Sequence, residues 1–186
     1  MIVTKNRSIE DIKRLLEQGY YLFGENKVQE AKYKFQDIEN NYELHLIGPL
    51  QSNKLKIALK IFDTIQTLNS TKLVDLIDKE FNKNQATRTK DFYIQVNIGE
   101  ELQKSGINKQ DVNMLYDYAK NKKINIKGLM CIPPLEKEPL FFFEKMLKIR
   151  DQVDEDLNLS MGMSNDYKVA LKCSTNMVRI GSKIFT

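Results

Sequence analysis

Two glycine–serine pairs near the end of the chain have the residue types that bind a phosphate group. Gly162 and Ser164 follow one apolar, strand-like segment, and Gly181 and Ser182 follow the next. Glycine has no Cβ and lets backbone amides approach an anion closely, while serine hydroxyls donate hydrogen bonds. Ser164 and Asn165 are also good N-caps for a following helix, whose amides would face the same anion. The spacing predicts a phosphate cradle; two tight turns with capping serines are the alternative.

Lys5, Arg179 and His45 are the other candidates for chemistry. A lysine at the end of a strand can form a Schiff base when nearby cations, here Arg7 and Arg179, favour its neutral amine. A solvated lysine, and an arginine that serves only in an ion pair, are the plainer interpretations. His45 is the only histidine, and its apolar neighbours are more typical of a hydrogen-bonded core residue than of a catalyst. Without a second ligand type beside it, we predict no metal site.

Short β-rich segments alternate with helix-like stretches along the whole chain. Eight segments are recognisable, namely IVT (2–4), YYLF (20–23), ELHLIG (43–48), FDTIQTL (62–68), DFYIQVNI (91–98), INIKGLMCI (124–132), LNLSMG (157–162) and NMVRIG (176–181). The alternation is typical of parallel βα units and places the chain in the α/β class. Eight units fit one domain over 1–186, a (β/α)8 TIM barrel trimmed at both ends; an open doubly wound sheet is the alternative. In either fold, ligands bind at the carboxyl ends of the strands.

Two features mark where helices begin in the first part of the chain. Ser8 with Asp11 has the pattern of an N-cap and a first-turn acid, and predicts a helix after the first strand. Glu25 and Glu30 either share a local network with Asn26 or simply mark the acidic start of the second helix.

The bulk composition excludes several classes of protein. The formal net charge is +4, and acidic and basic residues are interspersed, so we predict no nucleic-acid binding. No apolar run is long enough to span a bilayer, and we predict no membrane association. The two cysteines have no CxxC or zinc spacing, which favours a reduced, cytoplasmic protein.

The motifs, taken in order, resemble those of the pyridoxal 5′-phosphate homeostasis proteins (the YggS/PROSC family), which are related to the barrel domain of alanine racemase. The matching segments span almost the whole chain: VTK (3–5), FGENKVQEA (23–31), LHLIGPLQSNK (44–54), QVNI (95–98), KSG (104–106), GLMCIPP (128–134), LSMGMSNDYKVAL (159–171) and MVRIGSKIF (177–185). As a set in this order they are highly specific.

The resemblance implies a fold-type-III barrel that holds pyridoxal 5′-phosphate as a Schiff base on Lys5. It implies that the cofactor is bound by eight residues in all, namely Lys5, Asn26, His45, Met163, Ser164, Arg179, Gly181 and Ser182. Arg179 would lie near the pyridine nitrogen, and Asn26 and His45 would line the pocket.

The same resemblance implies a role in vitamin B6 homeostasis without catalysis. It also implies a monomer, with pyridoxal-phosphate-dependent apoenzymes as candidate recipients of the cofactor. The alternative is a true cofactor-dependent enzyme, such as a weak amino-acid racemase or lyase. That activity needs a second acid–base group near the ring, for which Lys104 and Tyr93 are the candidates.

Overall fold

Strands and helices alternate strictly in the computed structural model, which describes residues 1–39, 41–83 and 86–185. The elements are β1 (Ile2–Val3), α1 (Ile9–Glu17), β2 (Leu22–Glu25), α2 (Val28–Phe35), β3 (Glu43–Leu46), α3 (Leu55–Ile61), β4 (Thr64–Leu68), α4 (Thr71–Phe81), β5 (Asp91–Val96), α5 (Val112–Asn121), β6 (Ile126–Cys131), α6 (Pro139–Val153), β7 (Asn158–Met163), α7 (Tyr167–Lys172) and β8 (Met177–Arg179). Short 3-10 turns at Ser52–Lys54 and Lys109–Asp111 precede α3 and α5.

The eight strands form one parallel sheet in sequential order, β1 to β8. The sheet closes on itself, because Ile2 bridges to Ile180 directly after β8. The Val3 amide donates to the Ile180 carbonyl over 2.8 Å, and the Ile180 amide donates to the Met1 carbonyl over 3.1 Å. The (β/α)8 barrel is thus confirmed, and sequential order with closure excludes the open doubly wound sheet.

Helix α1 begins where the sequence predicts. The Ser8 hydroxyl accepts the Asp11 amide over 3.1 Å, and the Asp11 carboxylate accepts the Ser8 amide over 3.2 Å, which completes a capping box. Its apolar stripe buries Ile12 and Leu15 against the barrel core. This helix fixes the direction in which the chain leaves β1.

Helix α7 does not begin as predicted. Ser164 and Asn165 were expected to cap it, but the helix starts at Tyr167 and the capping position is Asp166. The Asp166 carboxylate turns back and accepts the Met163 amide over 2.6 Å, so it closes the preceding turn instead of the helix. The prediction of the N-cap was therefore wrong by one to two residues, because an Asp in this position forms a turn as readily as a cap.

The core fills the space between the barrel wall and the helices as well as the barrel interior. Its largest fully buried side chains include Phe23, Phe62, Phe92 and Phe143. No helix in the described ranges combines the length and apolarity that crossing a bilayer requires.

Candidate functional site at the carboxyl ends of the strands

A cavity of about 570 Å³ opens at the carboxyl ends of the barrel strands. It collects every candidate binding residue except His45: Lys5, Asn26, Met163, Ser164, Arg179, Gly181 and Ser182 all line it. These residues come from the carboxyl ends of β1, β2, β7 and β8, the first two and the last two strands of the chain. Closure of the barrel brings the β1 end next to the β8 end, and so joins the first residues of the chain to the last.

Lys5 lies just past the end of β1 and presents its side chain to this cavity. The side chain is exposed, and across residues 1–39, 41–83 and 86–185 its ammonium has no carboxylate within ion-pair distance. The neighbouring Thr4 is fully buried, and its amide donates to the Gly24 carbonyl over 3.0 Å. The amine therefore extends from a fixed strand end and is not committed to a protein partner.

The loops after β7 and β8 present an array of hydrogen-bond donors. Within the described part of the chain, no protein acceptor pairs with the backbone amides of Ser164, Asn165, Gly181 and Ser182. Both serine hydroxyls are likewise without a partner there. Successive unpaired amides of this kind form an anion-binding concavity, so the predicted phosphate cradle has the donors it needs.

Arg179 supplies a buried positive charge at the base of the cavity. Its side chain is 3% exposed, and its guanidinium donates to Ser160 Oγ and to the Cys131 carbonyl, each over 2.8 Å. Burial lowers the pKa of Arg179, although a guanidinium still remains charged. Among the residues that the structure describes, no carboxylate forms an ion pair with it, so the ion-pair alternative for this residue is not observed.

Asn26 is held at the rim by close backbone packing. A Cβ on Gly48 would collide with the Asn26 carbonyl, so the loop after β3 can approach β2 this closely only with glycine. The opposite wall is apolar, with Ile47, Ile132, Pro133 and Pro134 among its residues. A flat aromatic ring with one anionic substituent and one aldehyde fits this combination of apolar wall, donor array and amine.

Comparisons with known proteins show the family of the chain. Residues 2–186 match the family model described as "Alanine racemase, N-terminal domain". The whole chain is 38% identical to a pyridoxal phosphate homeostasis protein of Haemophilus influenzae, and covers 83% of that protein. Over 95% of the chain, it is 34% identical to one of Aquifex aeolicus, covering 81% of it. The chain belongs to the pyridoxal phosphate homeostasis protein family.

Solved structures superpose closely on this barrel. PipY of Synechococcus elongatus, without pyridoxal phosphate, superposes with a TM-score of 0.89 at 27% identity, over 100% of this chain and 92% of that chain. PipY with pyridoxal phosphate bound gives a TM-score of 0.83 with the same coverage. An alanine racemase of Clostridium difficile gives 0.75 at 14% identity, over 97% of this chain and 50% of that one, a likeness that shows the fold alone.

His45 departs from the site that the family resemblance implied. It lines a separate cavity of about 260 Å³ together with Glu43, Tyr93 and Asn158, and it does not line the cavity of Lys5. The reason is its hydrogen bonding: Nε2 contacts Glu43 over 2.7 Å and Nδ1 contacts Gln66 over 2.8 Å, inside the barrel. The side chain is a hydrogen-bonded core residue, as its apolar sequence neighbours favoured.

Several residues of the cavity were missed from the sequence, and three of them are polar or lie in exposed loops. Leu135 and Lys137 lie in the loop after β6, and Asp166 lies in the turn before α7. The Pro133–Pro134 pair marked the end of the sixth strand, but Lys137 stands in a charged stretch that is typical of a solvated loop. The signal that could have found Lys137 is its position six residues after the end of β6, in a fold where the loops after the strands form the site.

Proposed function

We propose that this chain binds pyridoxal 5′-phosphate through Lys5 and serves intracellular vitamin B6 homeostasis by holding and releasing it. The main support is that one cavity contains both the Lys5 amine, which has no carboxylate partner among the described residues, and a set of unpaired amides and hydroxyls that can bind an anion. The homologue PipY has been solved with pyridoxal phosphate bound, and named relatives are homeostasis proteins.

Each part of the cavity has a role in this proposal. The bound cofactor supplies an aldehyde carbon that condenses reversibly with an amine and releases water. Lys5 provides the amine, while the loops holding Met163, Ser164, Gly181 and Ser182 bind the phosphate. Arg179 carries a fixed positive charge, which disfavours a second positive charge on a ring nitrogen beside it. Asn26 lies at the rim, where it can hydrogen-bond a ring substituent.

We propose a carrier without catalysis. The positions of Tyr93 and Lys104 favour this role over that of a racemase or lyase. Tyr93 lines the other cavity, with His45, and burial raises its pKa to about 12, which makes it a poor proton acceptor at neutral pH. Lys104 pairs with Glu101 over 2.6 Å and donates to the Pro133 carbonyl over 3.3 Å. Neither side chain lines the cavity of Lys5.

The proposal also includes the recipients of the cofactor, the oligomeric state and the cellular location. A reversible covalent bond at a cavity open to solvent suits transfer to pyridoxal-phosphate-dependent apoenzymes, with a monomer as the working unit. Both cysteines, Cys131 and Cys173, are free thiols, which supports a cytoplasmic location.

Borohydride trapping tests the proposal directly. Protein loaded with pyridoxal 5′-phosphate is reduced, digested and analysed by mass spectrometry. We expect the pyridoxyl mass on the peptide containing Lys5, and none in Lys5→Ala. Lys137→Ala is the matched control, because this second lysine also lines the cavity and should be dispensable. A label that remains on Lys5→Ala and disappears from Lys137→Ala would show that the reactive amine comes from the loop after β6, and this result would refute the proposal.

A further inference from the structure

A buried cluster of charges lies behind Lys5, between the barrel wall and helix α2. Lys34, on α2, has a side chain that is only 6% exposed, and that of Glu25, at the end of β2, is fully buried. The Lys34 ammonium donates to three oxygens: the Thr4 carbonyl at 2.7 Å, Glu25 Oε1 at 3.0 Å and Glu30 Oε1 at 2.6 Å. An ammonium has three donors, so this lysine is fully committed.

The cluster holds both residues that flank Lys5. On one side, Lys34 binds the carbonyl of Thr4, whose hydroxyl also donates to Glu25 Oε1 over 2.7 Å. On the other side, Glu30 Oε1 accepts the backbone amide of Asn6 over 2.7 Å. One ammonium and its carboxylates therefore fix the peptide groups immediately before and after the candidate nucleophile.

The local backbone explains why such support is needed. Strand β1 has only two residues, Ile2 and Val3, so the sheet ladder ends before Lys5. Asn6 has a φ of 59°, in the left-handed region, which ends the extended backbone of β1 and which asparagine adopts more readily than most residues other than glycine. A lysine in such a turn would otherwise sample many backbone conformations.

Stability alone does not account for the cluster. Buried ion pairs are often no more stabilising than apolar side chains of the same volume, because the charges must be desolvated. Burial raises the pKa of Glu25, and its Oε2 has no hydrogen-bond partner in the described part of the chain. The charges are therefore retained at a cost, at the one place where they touch both neighbours of Lys5.

We propose that Lys34, with Glu25 and Glu30, is a positioning cluster that fixes the Lys5 backbone so that its amine meets the cofactor aldehyde. The inference rests on the proposed function. In the reaction it serves, the neutral Lys5 amine forms a bond to the aldehyde carbon, and the aldehyde oxygen leaves as water with the two amine protons. Lys34 takes no part in that bond.

The test compares two ligands on Lys34→Met, which keeps the length of the side chain and removes its charge. Pyridoxal 5′-phosphate reports imine formation through its visible absorbance, and pyridoxamine 5′-phosphate, which has no aldehyde, reports binding of ring and phosphate alone. We expect an imine equilibrium constant weakened about tenfold, the cost of re-ordering roughly one backbone residue. Pyridoxamine 5′-phosphate should bind the variant and the wild type alike. Lys32→Met, an exposed lysine on the same helix, is the control and should leave both ligands unaffected.

The outcomes separate this inference from the proposed function. If wild-type protein forms no imine on Lys5, the proposed function itself fails. If wild type forms it and Lys34→Met forms it equally well, or loses both ligands equally, the positioning role is refuted while the function stands. Should Lys34→Met not fold, Glu30→Ala decides, because Glu30 is partly exposed and its loss frees the Asn6 amide. A several-fold loss of imine with unchanged pyridoxamine 5′-phosphate binding supports the role there too, and unchanged imine overturns it.

Discussion

Arg179 is the first group of a hydrogen-bonded chain that runs down the barrel interior. Its guanidinium donates to Ser160 Oγ, which must therefore give its own proton to Gln66 Oε1, 2.6 Å away. The Gln66 amide nitrogen then faces His45 Nδ1 over 2.8 Å, so the His45 proton lies on Nε2 and points at Glu43. Because an arginine can only donate, the direction of every bond in this chain follows from one residue.

Breaking the central link has a cost that can be worked out group by group. Ser160→Ala leaves one Arg179 N–H and Gln66 Oε1 unpaired, and Gln66→Leu leaves the Ser160 hydroxyl and His45 Nδ1 unpaired. Both Ser160 and Gln66 are fully buried. At about 1–3 kcal/mol for each of the two orphaned groups, we expect either variant to lose roughly 2–6 kcal/mol of unfolding free energy. The melting temperature should fall by roughly 4–24 °C in a domain of this size.

The double variant is the decisive measurement. Together the two substitutions leave only Arg179 N–H and His45 Nδ1 unpaired, two groups instead of the four that the single variants orphan in sum. Unfolding in guanidinium chloride should therefore show the double variant about 2–6 kcal/mol less destabilised than additivity requires. Ser52→Ala, at an exposed serine, is the control and should change stability by less than about 0.5 kcal/mol. Additivity of the two single variants within about 0.5 kcal/mol would refute the chain of bonds.

Two further predictions concern the cavity rim and the far end of this chain. In Asp166→Ala the Met163 amide loses its acceptor, the turn after β7 loosens, and we expect equilibrium titration to show binding of pyridoxal 5′-phosphate weakened about fivefold to tenfold; unchanged affinity would contradict a role for that turn. The hydrogen bond from His45 lowers the pKa of Glu43, so this carboxylate contributes stability above its unfolded pKa and loses it as the pH falls through the folded pKa. Thermal unfolding of Glu43→Gln should thus differ from wild type most near neutral pH and converge with it in acid; a gap that persists in acid would be inconsistent with this ionisation.

The sequence predicted the order of the elements and most of the candidate site. All eight strands were placed, and the largest shift is in β2, which was predicted at 20–23 and lies at Leu22–Glu25. Tyr20 and Tyr21 caused that shift: aromatic residues have high strand propensity, yet these two are 52% and 61% exposed before the strand begins. Strand order and site location followed from local alternation, which a single sequence contains.

His45 shows what the sequence could not supply. A strand pattern says which residues share a face, but it does not say how deep each one lies in a closed barrel, because depth depends on the stagger between neighbouring strands. His45 pairs with Gly24 on one side and with Thr64, the first residue of β4, on the other. Its side chain consequently lies beside Gln66 in the interior, below the cavity that the strand ends form.

Lys34, on helix α2, shows the same limit of prediction from sequence. In the sequence, Glu30 and Lys34 are an ordinary pair at positions i and i+4, the pattern of an exposed salt bridge worth a few tenths of a kcal/mol. The fold turns this pair inward, against the end of β1, where the same two charges hold the neighbours of Lys5. Residues that touch a ligand stand in recognisable motifs at strand ends, whereas residues that hold those motifs in place stand in patterns shared with every solvated helix. Burial distinguishes the two, and burial is decided by the closed barrel and not by the local sequence.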